Sequence, residues 1–89
     1  MVINMGQFGQ FLTSRPAGRE AYLAARSYTI PKDYTSKIEL DFSAVTVLTP
    51  SWIDEFLRGL IEEYGNDNIK VLPSDNSSVQ MALKAVESI

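Results

Sequence analysis

The sequence predicts a small α/β sandwich, and three observations carry that expectation. Short stretches of strand character at residues 2–5, 37–42 and 69–72 alternate with longer segments of helical period. The helical segments open on hydroxyl or amide residues suited to capping. Alternation of this kind implies at least some parallel pairing, with right-handed crossovers. A chain of 89 residues has room for one core, so residues 1–89 are read as a single domain.

The elements follow in order. Val2-Ile3-Asn4-Met5 reads as a first strand ended by Gly6, and the stretch from Gly6 to Leu12 as a turn into a second short strand. Ser14 is a good cap for the first helix, and Pro16 is tolerated only in its first turn. That helix runs to about Tyr28, and Ala17, Ala21, Ala24 and Ala25 let it lie close against a sheet. Gly18 costs about 1 kcal/mol relative to alanine in a helix interior, which points to close packing or a late start. Ile30 to Tyr34 forms a connection. In Lys37 to Phe42 the apolar Ile38, Leu40 and Phe42 alternate with Lys37, Glu39 and Asp41, so one face of this strand is buried. Val45, Val47 and Leu48 add apolar bulk to the link that follows.

Thr49 or Ser51 caps the central helix, and Pro50 suits its first position. Ser51 and Asp54 have the spacing of a variant capping box. Asp54 and Glu55 are expected in the first turn, where carboxylates favour the positive end of the helix dipole. Apolar residues at 52, 53, 56, 57, 60, 61 and 64 make a broad stripe, with Arg58, Glu62 and Glu63 on the other side. Gly65-Asn66 ends the helix. Ile69 to Leu72 is a strand stopped by Pro73, and Asp75 or Asn76 caps a final helix carrying Val79, Met81, Ala82, Leu83 and Val86.

Composition removes several kinds of chemistry. Without cysteine there are no disulfides, thiolate nucleophiles or thiolate zinc sites, and without histidine the commonest general base and transition-metal ligand are missing. No glycine-rich phosphate loop is present, so no cofactor is expected. A net charge of −3 with scattered Lys and Arg argues against a nucleic-acid partner. No apolar run is long enough to span a bilayer, and no signal-peptide pattern opens the chain. The expectation is a soluble cytoplasmic domain with no membrane partner. Asp54, Glu55, Glu62 and Glu63 could offer oxygen ligands to magnesium or calcium, although a solvated helix face explains them better. Asp41 with Asp54 or Glu55 could form a general acid–base pair. Ser51 has no Gly-x-Ser-x-Gly elbow around it. Trp52 has two readings, the edge of the core or an anchor for a partner, and the core is preferred because indoles are mostly buried.

The run Leu40-Asp41-Phe42-Ser43-Ala44-Val45, then Thr46-Val47-Leu48, then Thr49-Pro50-Ser51-Trp52-Ile53 resembles the STAS domain of sulphate transporters and anti-sigma factor antagonists. That family's usual text is Leu-Asp-Leu-Ser-Gly-Val, a few apolar residues, then Asp-Ser-Ser-Gly-Leu opening a helix. A smaller STAS-like family of unknown function is more similar still. Its features match Phe8-Gly9, Ser14-Arg15, Leu40-Asp41-Phe42, Ser51 through Phe56 with Leu57-Arg58, and Asn76 through Val79 with Met81. The resemblance implies a four- or five-stranded mixed sheet with about three helices packed mainly on one face. It also implies a protein-interaction role.

In the antagonists a kinase-like partner phosphorylates a serine of the Asp-Ser-Ser turn and so abolishes binding. Ser51 stands at the matching position, while Thr49, Pro50 and Trp52 replace the acidic residue, the first serine and the glycine. A phosphate at a helix start meets free backbone N–H groups and adds about −1.5 to −2 charge to a docking surface. The leading expectation is therefore a non-enzymatic regulatory module of bacterial signalling. It docks a protein partner, a histidine-kinase-type ATPase or other regulator, through Thr49, Pro50, Ser51, Trp52, Asp54 and Glu55, with Ser51 as phosphoacceptor. The alternatives are a small enzyme or metal-binding domain using Asp41, Asp54 and Glu55, or a subunit that self-associates as a homodimer.

Overall fold

The computed structural model describes residues 1–87. Its strands are β1 (Val2–Asn4), β2 (Phe11–Leu12), β3 (Ile38–Asp41), β4 (Val47–Leu48) and β5 (Ile69–Val71). Its α-helices are α1 (Arg15–Ala24), α2 (Pro50–Tyr64) and α3 (Ser77–Glu87). Helix α1 continues through a π-helical turn at Ala25–Thr29, close to the end expected from sequence.

The fold class is as expected, an α/β domain with five strands and three helices. The strands divide between two sheets. One has the order β1-β3-β5 and the other pairs β2 with β4. Where the resemblance implied a mixed sheet, the pairings among the described residues are all parallel. Link residues Val47 and Leu48 thus become a strand, because Phe11 and Leu12 lie in register beside them.

Strand β3 is central, and its pattern explains the layering. Ile38 and Leu40 are fully buried, while Glu39 and Asp41 point the other way and keep part of their surface. Parallel sheets are usually covered on both faces. Here the second face carries Val2, Glu39 and Lys70 in one register row, a mostly polar set that water can solvate.

The core gathers Ile3, Met5, Leu40 and Phe42 from the sheet side with Trp52, Ile53, Phe56 and Leu60 from α2. Trp52 and Phe56 stack with ring centroids 5.1 Å apart, and Phe8 closes against Phe56 at 5.5 Å. Val79 and Ala82 add the buried side of α3, whereas Met81, expected with them, is 72% exposed. The reason is spacing: residues 79 and 82 share a helical face that 81 does not.

Glycines let α1 and α2 approach closely. A side chain at Gly59 would lie within 2.5 Å of the Tyr22 ring, and one at Gly18 would strike the backbone carbonyl of Trp52. The glycine inside the first helical pattern is therefore a contact point between helices.

Candidate functional site

The start of α2 is held by β2. Thr49 is the N-cap, with extended φ −103° and ψ 150°, and Pro50 occupies the first turn. The Thr49 hydroxyl does not cap the helix. Its Oγ1 donates to the Leu12 carbonyl at 3.3 Å, and its N–H donates to the same oxygen at 3.0 Å. The capping box expected between Ser51 and Asp54 is therefore absent, because the helix begins two residues too early for it.

The same shift moves the carboxylates. The first turn holds no acidic residue, so Asp54 and Glu55 lie beyond reach of the helix start. Arg15, at the start of α1, engages both. Its Nη1 lies 2.7 Å from Asp54 Oδ2 and 3.0 Å from Glu55 Oε2. Arg58 adds a contact to Asp54 at 3.1 Å. The hydrogen bond from Arg15 holds the Asp54 carboxyl below the usual carboxylate range. Burial opposes that shift, and Arg58 reinforces it.

Trp52 is 1% exposed and belongs to the core. As an anchor for a partner it is corrected, since a docking side chain must reach the surface. Pro50 is exposed and Ser51 half-buried, so these two carry the accessible part of the helix start. Asp41 does not join Asp54 and Glu55 in a shared network. Its Oδ1 accepts from the Ser43 N–H at 2.9 Å in a local turn. Among the described residues no three Asp, Glu, His or Cys side chains come together to hold a metal ion.

Two exposed apolar side chains near the helix start were missed from sequence. Phe11 is 65% exposed and lies in register with Val47. Met81 lines a shallow hollow with Leu48, Pro50 and Ala85. Beside this hollow α3 is tied to β4 by Ser78, whose Oγ accepts from the Leu48 N–H at 3.0 Å and donates to the Leu48 carbonyl at 3.2 Å. A signal for Met81 was present in its place off the helical face of Val79 and Ala82. Phe11 carried none, because a two-residue strand shows no alternation.

On the other side of α3 lies a groove of about 870 Å³ between α2 and α3, floored in part by Val71 and Leu72. Its signal was the breadth of the α2 stripe, which includes Leu57 and Ile61 as well as the residues that face the core. Among the described residues no helix is long and apolar enough to cross a membrane.

A family model described as a STAS-like domain of unknown function (DUF4325) matches residues 29–78. The match takes in β3, β4, the whole of α2, β5 and the opening of α3. Searches of curated proteins and of solved structures found no match. With more than half of its residues matched and the α/β architecture in place, this chain belongs to the STAS-like family of unknown function.

Proposed function

We propose that the domain is a non-enzymatic interaction module that docks a regulatory protein over the start of α2. The observation that carries this reading is the pair of exposed apolar side chains near that start, Phe11 at 65% and Met81 at 72% exposure. Apolar side chains of this kind mark an interaction site where they join into one surface patch. Pro50 shares a hollow with Met81, and Thr49 is bonded to β2 directly beside Phe11. Ser51 lies within the first turn, where backbone N–H groups lack helical partners. A phosphate on Ser51 would be stabilised there and would set about two negative charges on the docking surface. Trp52 supports the site from beneath rather than touching the partner. Membership of the STAS-like family makes a histidine-kinase-type ATPase, or another regulator, the partner class to test first.

The test is affinity capture from the native extract with the wild type, Ser51→Asp and Met81→Asp. Binding of the purified partner is then measured against each protein. Both substitutions lie outside the core and should leave the melting temperature nearly unchanged. The reading expects an ATPase or regulator retained by the wild type and lost, by about tenfold or more in affinity, with either substitution. Equal binding by all three folded proteins sinks it.

A further inference from the structure

Helix α3 has two different sides. Met81 and Ala85 face the hollow at the start of α2, while Leu83 and Val86 face the groove beside α2. The groove is thus a separate surface. Its floor includes Leu57, Ile61, Leu72, Leu83 and Val86, side chains that stay only partly buried, with Ile61 still 37% exposed.

Four charged groups line this groove: Asp54, Arg58, Glu62 and Glu87. Arg58 is bound to Asp54 at 3.1 Å, so that pair offsets itself. Glu62 and Glu87 are exposed and make no ion pair among the described residues. An apolar floor therefore carries an acidic rim at Glu62 and Glu87.

We propose that the groove receives an amphipathic helix of a partner protein, with its apolar face on the floor and lysine or arginine against Glu62 and Glu87. The walls are two helices, and a third packs between such walls by setting its ridges into their grooves. The α2 wall runs from Asp54 to Glu62, about 12 Å at 1.5 Å per residue, which matches two to three turns of a bound helix. Floor residues at 57 and 61, and at 83 and 86, have the spacing that meets anchors one turn apart. An extended peptide is a poorer fit. The edge strand β5 offers three residues for strand addition and is followed closely by Pro73.

The experiment uses two labelled peptides of ~14 residues, about four turns, with leucine at helical spacing. One carries lysine at the flanking positions and the other glutamate. Their binding to the chain is read by fluorescence polarisation at low salt, where exposed charges are least screened. The lysine peptide should bind and the glutamate peptide should not. Double reversal, Glu62→Lys with Glu87→Lys, should weaken the lysine peptide by about tenfold and improve the glutamate peptide, at unchanged melting temperature. Met81→Asp should leave both unchanged, which separates this result from the fate of the α2-start reading. Equal binding of the two peptides, an unaltered ranking after charge reversal, or no binding by either overturns the proposal. Occupation of the groove by a small apolar dye, with neither peptide bound, overturns it as well.

Discussion

Asn76 uses both polar atoms of its side chain. Its Oδ1 accepts from the N–H groups of Ser78 at 2.8 Å and Val79 at 3.3 Å, which caps α3. Its Nδ2 donates to the carbonyls of Val45 at 3.0 Å and Thr46 at 2.9 Å, which ties that cap to the link before β4. Asn76→Ala should cost about 2 kcal/mol, from a lost cap and lost hydrogen bonds. Asn76→Asp keeps the cap acceptor and loses the donors, so its urea midpoint should fall between the two. A midpoint for Asn76→Ala equal to wild type would remove this role. Trp52 is the larger case. Its burial against Phe56 predicts a loss of about 3–5 kcal/mol for Trp52→Ala, read as an early chemical melt. A loss of binding in that variant would accordingly report unfolding, which is why surface variants test the docking reading.

Asp54 sets a pH dependence. Its folded pKa lies below the ordinary value of about 3.9 because Arg15, and then Arg58, bind the charged form. A depressed carboxylate adds stability above its unfolded pKa. That contribution is lost as pH falls from about 3.9 through the lower folded value. Arg15 is half-exposed, so solvent screens the pair and keeps the effect small. Asp54→Asn should melt below wild type near neutrality, and the two curves should converge in acid once the pH lies below the lowered folded value. A constant gap across that range would show that the ion pairs are not its source.

Among elements, the contact between α1 and α2 depends on having no side chain at two places. Gly59→Ala places a methyl group against the Tyr22 ring, which can turn aside only by disturbing its own packing. Gly18→Ala meets the Trp52 backbone, which cannot turn. Alanine regains about 1 kcal/mol of helix propensity at each position. Overpacking costs about 1–3 kcal/mol and should win at both, more clearly at Gly18. Thermal melts of the two variants check the order, and a stabilised Gly18→Ala would contradict the close approach. The sequence marked Gly18 as unusual because a glycine stood inside a helical pattern. It could not say what came near, since that atom belongs to a residue 34 positions away.

At the scale of the molecule, one core links all three helices to the β1-β3-β5 sheet. Unfolding should therefore be a single cooperative event. Fluorescence of the lone tryptophan and far-ultraviolet circular dichroism should give coincident urea transitions. Separate midpoints would show that α3 or the small β2-β4 sheet unfolds on its own.

Strand β4 read only as a link from sequence, but the order of the three helices with β1, β3 and β5, the buried face of β3 and the apolar stripe of α2 were determined by the sequence itself. Each arises from periodicity within a few neighbouring residues, which a linear reading detects. For the N-cap of α2 the sequence offered Thr49 or Ser51, and Thr49 holds it, in keeping with the place of Pro50 at the helix start. The tertiary structure alone decided where the partners of that junction lie. The Thr49 hydroxyl turned to Leu12, and Asp54 and Glu55 were claimed by Arg15, some 40 positions earlier. Contacts of that separation leave no period in the sequence. The two exposed faces of α3 were hidden for the same reason. A helix declares which of its residues are apolar, but which of them stay uncovered depends on the elements packed beside it.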